Sequence, residues 1–310
     1  MNDLRIIFMG TPDFAVPSLE ILIKNKFKVV AVITGPDKPK GRGQKLAASP
    51  VKEIALKHKV PVLQPTNLKS PEFLDELRSY QANLQVVVAF RMLPEVVWNM
   101  PEFGTFNLHA SLLPQYRGAA PINWAIINGE TETGVTTFFL KHEIDTGDII
   151  LQEKEPISEE DTAGDLYQRL MKKGADLVLK TVQAIEDESY TEIAQDLYEE
   201  VKHAPKIFKE TCQINWNESS FYLYNFIRGL SPYPAAWTIL NSRTFKIYKA
   251  SKTHQTKLNL KPGQIMTDNQ NFLHVKTSDH LLAIEELQME GKNRMSIKDF
   301  LKGNKFFSGS

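Results

Sequence analysis

The first two-thirds of the chain alternates short apolar runs with stretches whose apolar residues recur at helical spacing. Runs typical of buried strands are Ile6–Met9, Phe27–Thr34, Val60–Leu63 and Leu84–Phe90. Helical spacing is found at Phe14–Asn25, Val51–Lys59 and Pro71–Tyr80. Strands that alternate with helices predict an α/β fold, with a Rossmann-like and mostly parallel sheet.

The same alternation continues to a long amphipathic stretch and then changes character. It predicts strands at Gly104–His109 and Val135–Leu140, and helices at Gly118–Asn128 and Thr162–Asp187. Residues 188–206 are acidic and then contain Pro, which indicates a linker after a first domain at 1–187. From 207 to 310, a helix at Ser219–Arg228 precedes short apolar runs separated by turns, so we expect a small β-rich second domain.

Composition narrows the class of protein. The chain has 310 residues, of which 42% are hydrophobic, and no apolar run approaches the ~18 residues that cross a bilayer. The N-terminus lacks the apolar core of a signal peptide, so we expect a cytoplasmic protein with no membrane partner. The single cysteine, Cys212, excludes an intramolecular disulfide and a multi-cysteine metal site.

A net charge of zero conceals an asymmetry along the chain. Residues 204–310 carry 15 Lys and Arg against 8 Asp and Glu, a net charge of +7, which leaves −7 on residues 1–203. Such an asymmetry favours a polyanionic partner for the basic part. A basic surface that is merely solvated is the alternative, and composition alone does not separate the two.

The candidate chemistry lies at one predicted strand end. Alternation puts Asn107 and His109 on the same side of the strand, and the Ser, Pro and Gly residues that follow mark a loop that a substrate can reach. Asp145 stands in a polar turn after the next strand, where its carboxylate could approach His109 and stabilise the protonated imidazole. No nucleophile is convincingly placed, so the cluster predicts acid–base assisted transfer between two substrates.

Other classes of site find little support. There is no G-x-G-x-x-G or Walker motif, which argues against a dinucleotide cofactor. His142 and Glu143 lack partners at ligand spacing, so we expect no metal site.

A basic segment, Gly35–Leu46, follows the second predicted strand. It carries four cations, Lys38, Lys40, Arg42 and Lys45, among three glycines and two prolines. From this composition we expect no regular element, and the segment is longer than a usual β–α connection. It is either a mobile solvated loop or a finger that contacts phosphates, and the basic C-terminal third favours the finger.

Four motifs together carry a resemblance that runs the length of the chain: Phe8–Pro17, Gly41–Gly43, Asn107–Pro121 and Asp145–Asp148. On these motifs the sequence resembles the folate-dependent formyltransferases, and most closely the branch that acts on methionyl-tRNA. The resemblance implies that Asn107, His109 and Asp145 are the catalytic trio. It also implies an OB-like barrel as the second domain.

The resemblance further implies both substrates. The donor would be 10-formyltetrahydrofolate, contacted by Ser111, Leu112, Leu113 and Pro114, with no metal. The acceptor would be the α-amino group of methionyl-initiator-tRNA, formylated for translation initiation. The tRNA would be bound by Arg42 with Lys38, Lys40 and Lys45, and by Lys206. Two residues that border the expected folate pocket, Arg91 and Glu143, depart from the family's usual pattern.

Two other functions stay open. A formyltransferase that acts on an amino sugar nucleotide would keep the same trio, but would not need a basic second domain or the Gly-Arg-Gly loop. A non-enzymatic RNA-binding protein of this fold would be expected to have lost the trio, which is present here. We expect a monomer, because no self-association motif is evident.

Overall fold

The computed structural model describes residues 3–40, 45–195, 200–256 and 259–304 of the chain. It contains two compact units. The first comprises Met1–Gly118, Thr133–Glu155 and Tyr167–His203, and the second comprises Ala119–Glu132, Pro156–Leu166 and Ala204–Ser310. Each unit therefore draws on separate stretches of sequence.

The strands of the described residues are numbered in chain order. They are β1 (Arg5–Gly10), β2 (Lys28–Ile33), β3 (Lys38–Lys40), β4 (Lys45–Ala47), β5 (Val62–Leu63), β6 (Leu84–Val88), β7 (Thr105–His109), β8 (Arg117–Gly118), β9 (Glu132–Phe139), β10 (Ile149–Pro156), β11 (His203–Ala204), β12 (Ala236–Leu240), β13 (Arg243–Lys252), β14 (Ile265–Thr267), β15 (Leu273–Lys276), β16 (Leu281–Met289) and β17 (Met295–Ser296).

The helices are numbered in the same way. They are α1 (Val16–Lys24), α2 (Pro50–Lys57), α3 (Pro71–Ser79), α4 (Glu95–Trp98), α5 (Pro121–Ile127), α6 (Ala163–Glu186), α7 (Ser220–Leu230) and α8 (Ile297–Gly303). Single 3-10 turns are found at Asp13–Ala15 and Glu210–Cys212. In the part of the chain that the structure describes, no helix combines the length and the apolar character that a bilayer span requires.

Hydroxyl side chains fix where several helices begin. Ser49 accepts a hydrogen bond from the backbone N–H of Lys52 at 3.1 Å, and Ser219 accepts one from Tyr222 at 3.2 Å. At the start of α6, Thr162 and Asp165 cap each other reciprocally, because each side chain accepts from the other's backbone N–H. These caps satisfy N–H groups that the helix itself leaves without acceptors.

The sheet of the first unit is mostly parallel, as predicted. Within the described residues its seven strands lie in the order β10-β9-β7-β6-β1-β2-β5. The pairs β1–β2, β1–β6, β2–β5 and β6–β7 are parallel, whereas β7 and β9 are antiparallel. Phe8, Phe106 and Phe138 are fully buried in this unit. A parallel sheet covered on both faces explains the continuous apolar runs of β1 and β6.

The second unit is built on a curled antiparallel sheet, which confirms the predicted β-rich, barrel-like domain. Its strands lie in the order β12-β13-β16-β15-β14, with β17 paired to β16. Phe245 on β13 packs edge-to-face against Phe300 of α8, with ring centroids 5.6 Å apart. Cys212 is buried in this core and burial raises the pKa of its thiol, so the side chain serves packing rather than nucleophilic chemistry.

Strand β10 was not predicted. Its apolar run is limited to its first three residues, Ile149, Ile150 and Leu151, and from Gln152 the polar side chains alternate between exposed and less exposed positions. It lies at the edge of the sheet, where one side of the strand has no neighbouring strand to require apolar residues. Its buried Glu155 is compensated by Arg169, whose Nε donates at 2.6 Å.

The expectation that residues 35–46 form no regular element is wrong. Strands β3 and β4 pair as an antiparallel hairpin, with Lys38 opposite Ala47 and Pro39 opposite Leu46. This two-stranded sheet consists of edge strands, on which a proline without an N–H is tolerated. The prediction from composition therefore overestimated how far proline disrupts regular secondary structure in this segment.

Candidate active site

Strand β7 carries Asn107 and His109 at the carboxyl end of the sheet, where open parallel sheets bind ligands. Asn107 lies opposite Val87 on one side and Phe138 on the other. Its side chain is half-buried, and its amide has no hydrogen-bond partner among the residues that the structure describes. A half-buried amide without a protein partner is available to donate to a bound molecule.

His109 is buried between two acceptors. Its Nε2 lies 2.9 Å from the backbone carbonyl oxygen of Tyr116, and Nδ1 lies 3.8 Å from Oδ2 of Asp145. A carbonyl can only accept, so Nε2 carries a proton in this contact. The other nitrogen, Nδ1, faces the Asp145 carboxylate.

The turn that contains Asp145 presents the carboxylate to the imidazole. The backbone of Asp145 has a φ of 56°, in the left-handed region that Asp adopts more readily than most residues. Its Oδ2 also accepts a hydrogen bond from the N–H of Gly118 at 3.0 Å. The structure therefore brings together Asp145 and His109, which the sequence separates by 36 positions.

The loop after β7 is held by a residue that the sequence analysis missed. Thr136 on β9 donates to the carbonyl of Ser111 at 2.6 Å and accepts from the N–H of Leu113 at 3.2 Å. The Ser111 hydroxyl is buried and donates to the carbonyl of Gln115 at 2.6 Å. Leu113 is also buried, so Leu112 and Pro114 are the more accessible side chains of this loop. In the sequence, the irregular alternation of threonines along β9 was the signal that could have pointed to Thr136.

Gly147 closes the Asp145 turn against β9. A Cβ at this position would lie 1.6 Å from the carbonyl oxygen of Phe139, which is backbone and cannot rotate away. We expect Gly147→Ala to lower the free energy of unfolding by about 1–3 kcal/mol, because the turn must shift to admit the methyl group. Urea denaturation measures this change. An unchanged midpoint would show that the turn adapts. Gly291→Ala is not a suitable control, because Gly291 has a φ of 76°, which an alanine adopts only with strain.

The basic hairpin is anchored at its base. The Asp37 carboxylate accepts from Nζ of Lys52 at 2.7 Å and from Nε2 of Gln64 at 2.8 Å, and these hydrogen bonds hold the pKa of Asp37 below its usual value. Gln64 also donates to the carbonyl of Gly35 at 2.8 Å. These hydrogen bonds therefore hold the first residues of the basic segment, Gly35 and Asp37, in place.

The predicted tRNA-binding cations of this segment fall in different places. Lys38 is exposed on β3, and the backbones of Lys40 and Lys45 pair with each other in the hairpin. Arg42 lies outside the described residues.

Lys206 borders a groove of about 950 Å³ within the second unit. Lys209 and Lys246 also line this groove, together with the exposed rings of Phe208 and Tyr233. The Lys206 ammonium lies 5.3 Å from the centroid of the Phe208 ring. Cations next to exposed aromatic rings are what a surface needs to bind the phosphates and bases of single-stranded nucleic acid.

The two positions that depart from the family's usual pattern lie on the surface. Arg91 is exposed, and its guanidinium donates to the carbonyls of Pro65 and Thr66, the latter at 3.1 Å. Glu143 is exposed, and its carbonyl accepts from Thr146 at 3.1 Å. Within the described ranges, no three or more His, Cys, Asp or Glu side chains are grouped so as to hold a metal ion.

Comparison with protein families gives two matches that together cover most of the chain. Residues 4–182 match the model described as formyl transferase, and residues 206–305 match the formyl transferase C-terminal domain. The first match includes Asn107, His109 and Asp145, and the second includes Lys206.

Curated relatives and solved structures agree with the family matches. A protein of Bacteroides fragilis named methionyl-tRNA formyltransferase is 54% identical, over 97% of this chain and 95% of its own length. One of the same name from Flavobacterium johnsoniae is 49% identical, over 99% and 98%. The crystal structure of WlaRD, a sugar 3N-formyl transferase, aligns with a TM-score of 0.67 at 24% identity, over 94% of this chain and all of its own, which supports the fold.

Proposed function

Because the chain belongs to the formyl transferase family, we propose that it transfers a formyl group from 10-formyltetrahydrofolate to the α-amino group of methionyl-initiator-tRNA. The observation that carries the chemistry is the Asn107 amide, which has no hydrogen-bond partner among the described residues and lies two residues from an imidazole that faces Asp145. The proposed catalytic residues are therefore Asn107, His109 and Asp145. The product would be N-formylmethionyl-tRNA.

The donor supplies the formyl carbon as an electrophile. The neutral amine of the acceptor forms the new C–N bond and gives up one proton. The bond from the formyl carbon to N10 of the folate then breaks, and N10 takes up one proton as it leaves, so the proton count is unchanged. Between these steps the formyl oxygen carries negative charge. The Asn107 amide is placed to donate a hydrogen bond to that oxygen, and a preorganised donor stabilises such charge without reorganising.

His109 and Asp145 act together in this proposal. The protonated imidazole supplies positive charge and a proton beside the reacting carbon, and the Asp145 carboxylate stabilises that charge. The proton on Nε2 is shared with the carbonyl of Tyr116. Donation from Nε2 to a substrate therefore requires the ring to exchange this hydrogen bond for one to the substrate.

The donor pocket is proposed at the loop from Ser111 to Pro114. The accessible side chains of this loop, Leu112 and Pro114, are apolar and suit the flat face of a pterin ring, while Ser111 and Leu113 support the loop from within. Thr136 keeps these residues in register with β9. Loop and catalytic trio all belong to the first unit.

RNA is the proposed acceptor rather than a sugar nucleotide. Relatives about half identical over nearly the full chain are named methionyl-tRNA formyltransferase, whereas the sugar formyltransferase is 24% identical and shares the fold. The groove with Lys206, Lys209 and Lys246 supports the same choice, because lysines next to exposed aromatic rings suit the successive phosphates and bases of a nucleic-acid chain. The cations of the basic segment, Lys38, Lys40, Arg42 and Lys45, are proposed to bind the same RNA.

Acceptor choice is tested by offering the enzyme three acceptors in parallel. Labelled formyl transfer from 10-formyltetrahydrofolate is measured with methionyl-initiator-tRNA, with methionyl-elongator-tRNA and with a nucleotide-linked amino sugar. We expect efficient transfer to the initiator, weaker transfer to the elongator and none to the sugar. Transfer to the sugar alone would replace the proposal by its alternative.

The groove lysines give a prediction about salt. We expect the triple variant of Lys206, Lys209 and Lys246 to alanine to bind initiator tRNA more weakly, with a shallower dependence of log affinity on log salt concentration. The slope should decrease by about 1 for each phosphate contact that is lost. Filter binding at salt concentrations between about 50 and 200 mM measures this slope.

The control for this experiment removes the same number of exposed cations from the first unit, by substituting Lys57, Lys69 and Lys172 with alanine. This variant should keep the salt slope of the wild type. Equal slopes for both triple variants would show that the groove does not contact phosphates.

Domain boundaries and cellular context complete the proposal. We propose a catalytic domain at 1–187, a linker at 188–206 and a tRNA-binding domain at 207–310, supported by family matches at 4–182 and 206–305. A role in translation initiation implies the cytoplasm. A monomer is proposed, and sedimentation at micromolar concentration would reveal a dimer.

A further inference from the structure

Gln195 lies in the stretch that the sequence predicts as a linker, yet its side chain is 7% exposed. Its Nε2 donates two hydrogen bonds, to the carbonyl of Asp145 at 2.9 Å and to the carbonyl of Gly147 at 2.8 Å. Its Oε1 accepts two more from Arg117, from Nε at 3.1 Å and from Nη2 at 2.6 Å. One amide therefore ties the turn of Asp145 to the strand that follows the catalytic loop.

The orientation of this amide is fixed by its partners. Backbone carbonyls only accept and a guanidinium only donates, so the amide nitrogen must face Asp145 and Gly147. Every polar contact that such an amide needs is satisfied by a buried or half-buried group. An amide that makes all four of its hydrogen bonds is held rigidly, which makes it a suitable support for a catalytic side chain.

The turn that Gln195 grips is one that needs support. Asp145 has a left-handed backbone, and its carboxylate stands at 3.8 Å from Nδ1 of His109, beyond hydrogen-bond distance. A small displacement of the turn would change this separation and the hydrogen bond that Gly118 donates. Gln195 holds the same turn from outside it, through the carbonyls of Asp145 and Gly147.

We propose that Gln195 is a positioning residue for formyl transfer, which sets the place of the Asp145 carboxylate relative to His109 through the backbone of the turn. The inference rests on the proposed catalytic role of Asp145. Gln195 touches neither substrate in this proposal, so its effect falls on kcat rather than on binding.

Gln195→Glu is the sharpest variant. Glutamate keeps the size and can still accept from Arg117, but it presents no donor to the two carbonyls and repels them. We expect kcat to fall by about 10-fold, as for other residues that orient a catalytic group, with KM for both substrates within about 2-fold. Gln183→Glu, an exposed change of the same type on α6, should leave kcat unchanged. Wild-type kcat in Gln195→Glu would overturn the inference.

A second variant and a double variant separate positioning from folding. Gln195→Met removes the donors without adding charge, so if Gln195→Glu unfolds, the same fall in kcat is expected in Gln195→Met at a temperature where circular dichroism shows it folded. In an Asp145→Asn background, Gln195→Glu should lower kcat by less than about 2-fold, because the group that it positions is already disabled. Multiplicative losses would overturn the inference. Wild-type formyl transfer tests the proposed function separately.

Discussion

Replacing Asn107 with alanine is expected to lower kcat for formyl transfer by about 100-fold or more, while KM for both substrates stays within about 3-fold. The amide on β7 has no hydrogen-bond partner among the described residues, so its donor is available to the oxygen that becomes negative during the reaction. The negative charge on the oxygen exists only in the intermediate and in the transition states around it. Removing the donor therefore slows the reaction without weakening the binding of either substrate. Steady-state kinetics with labelled donor measures both constants.

Two further variants define what the amide does. Asn107→Asp keeps the size but has only acceptor oxygens when ionised, so it should be at least as impaired as Asn107→Ala. Asn25→Ala, at the exposed end of α1, removes an amide that donates to the carbonyl of Ile21 at 2.8 Å and should keep the wild-type kcat. If Asn107→Ala turned over at a near-normal rate, the assignment of Asn107 as the oxyanion donor would be wrong.

The second large effect is expected from Asp145→Asn, which should lower kcat by about 100- to 1,000-fold. The change keeps the shape of the turn but removes the negative charge that faces His109 at 3.8 Å. It also places an N–H₂ group in competition with the oxygen that accepts from Gly118. The imidazolium then loses its counter-charge, and the ring is less well held. Single-turnover transfer measures a loss of this size.

A matched loss of charge elsewhere serves as the control for Asp145. Asp176→Asn lies on an exposed position of α6 and should leave the rate unchanged. Thermal melting of both variants shows whether a fall in activity reflects unfolding. A folded Asp145→Asn with a rate within about 3-fold of the wild type would contradict the role of the carboxylate, since loss of a group that orients a catalytic histidine is costly.

Most of the fold could be predicted from the sequence, because buried apolar residues recur with the period of the helix or strand that carries them. The strands β1 and β6 are buried from Ile6 and Leu84 onward and contain apolar runs, and most of the apolar stripe predicted on α6 is buried. Edge strands show a weaker hydrophobic pattern, because fewer of their residues are buried. Strand β10 carries polar residues on its exposed side, and the hairpin β3–β4 consists of three lysines, a proline, Leu46 and Ala47.

The candidate site was partly visible in the sequence for a similar reason. Asn107 and His109 are two residues apart on one strand, so alternation alone predicts that they share a face. Asp145 could be suggested from its polar turn, although its distance from His109 depends on the tertiary fold. Gln195 gave no signal, and Thr136 gave only the irregular alternation of threonines on β9, because both act through hydrogen bonds to a distant backbone, which no local pattern encodes.

The role of Asn107 in formyl transfer is decided by single-turnover transfer of labelled formyl from 10-formyltetrahydrofolate to methionyl-initiator-tRNA, with wild-type enzyme and Asn107→Ala both saturated with the two substrates. We expect the label to reach the methionyl amine rapidly with the wild type and at least about 100-fold more slowly with the variant. Absence of label on the tRNA with the wild type, or equal rates for the two enzymes, would contradict this role.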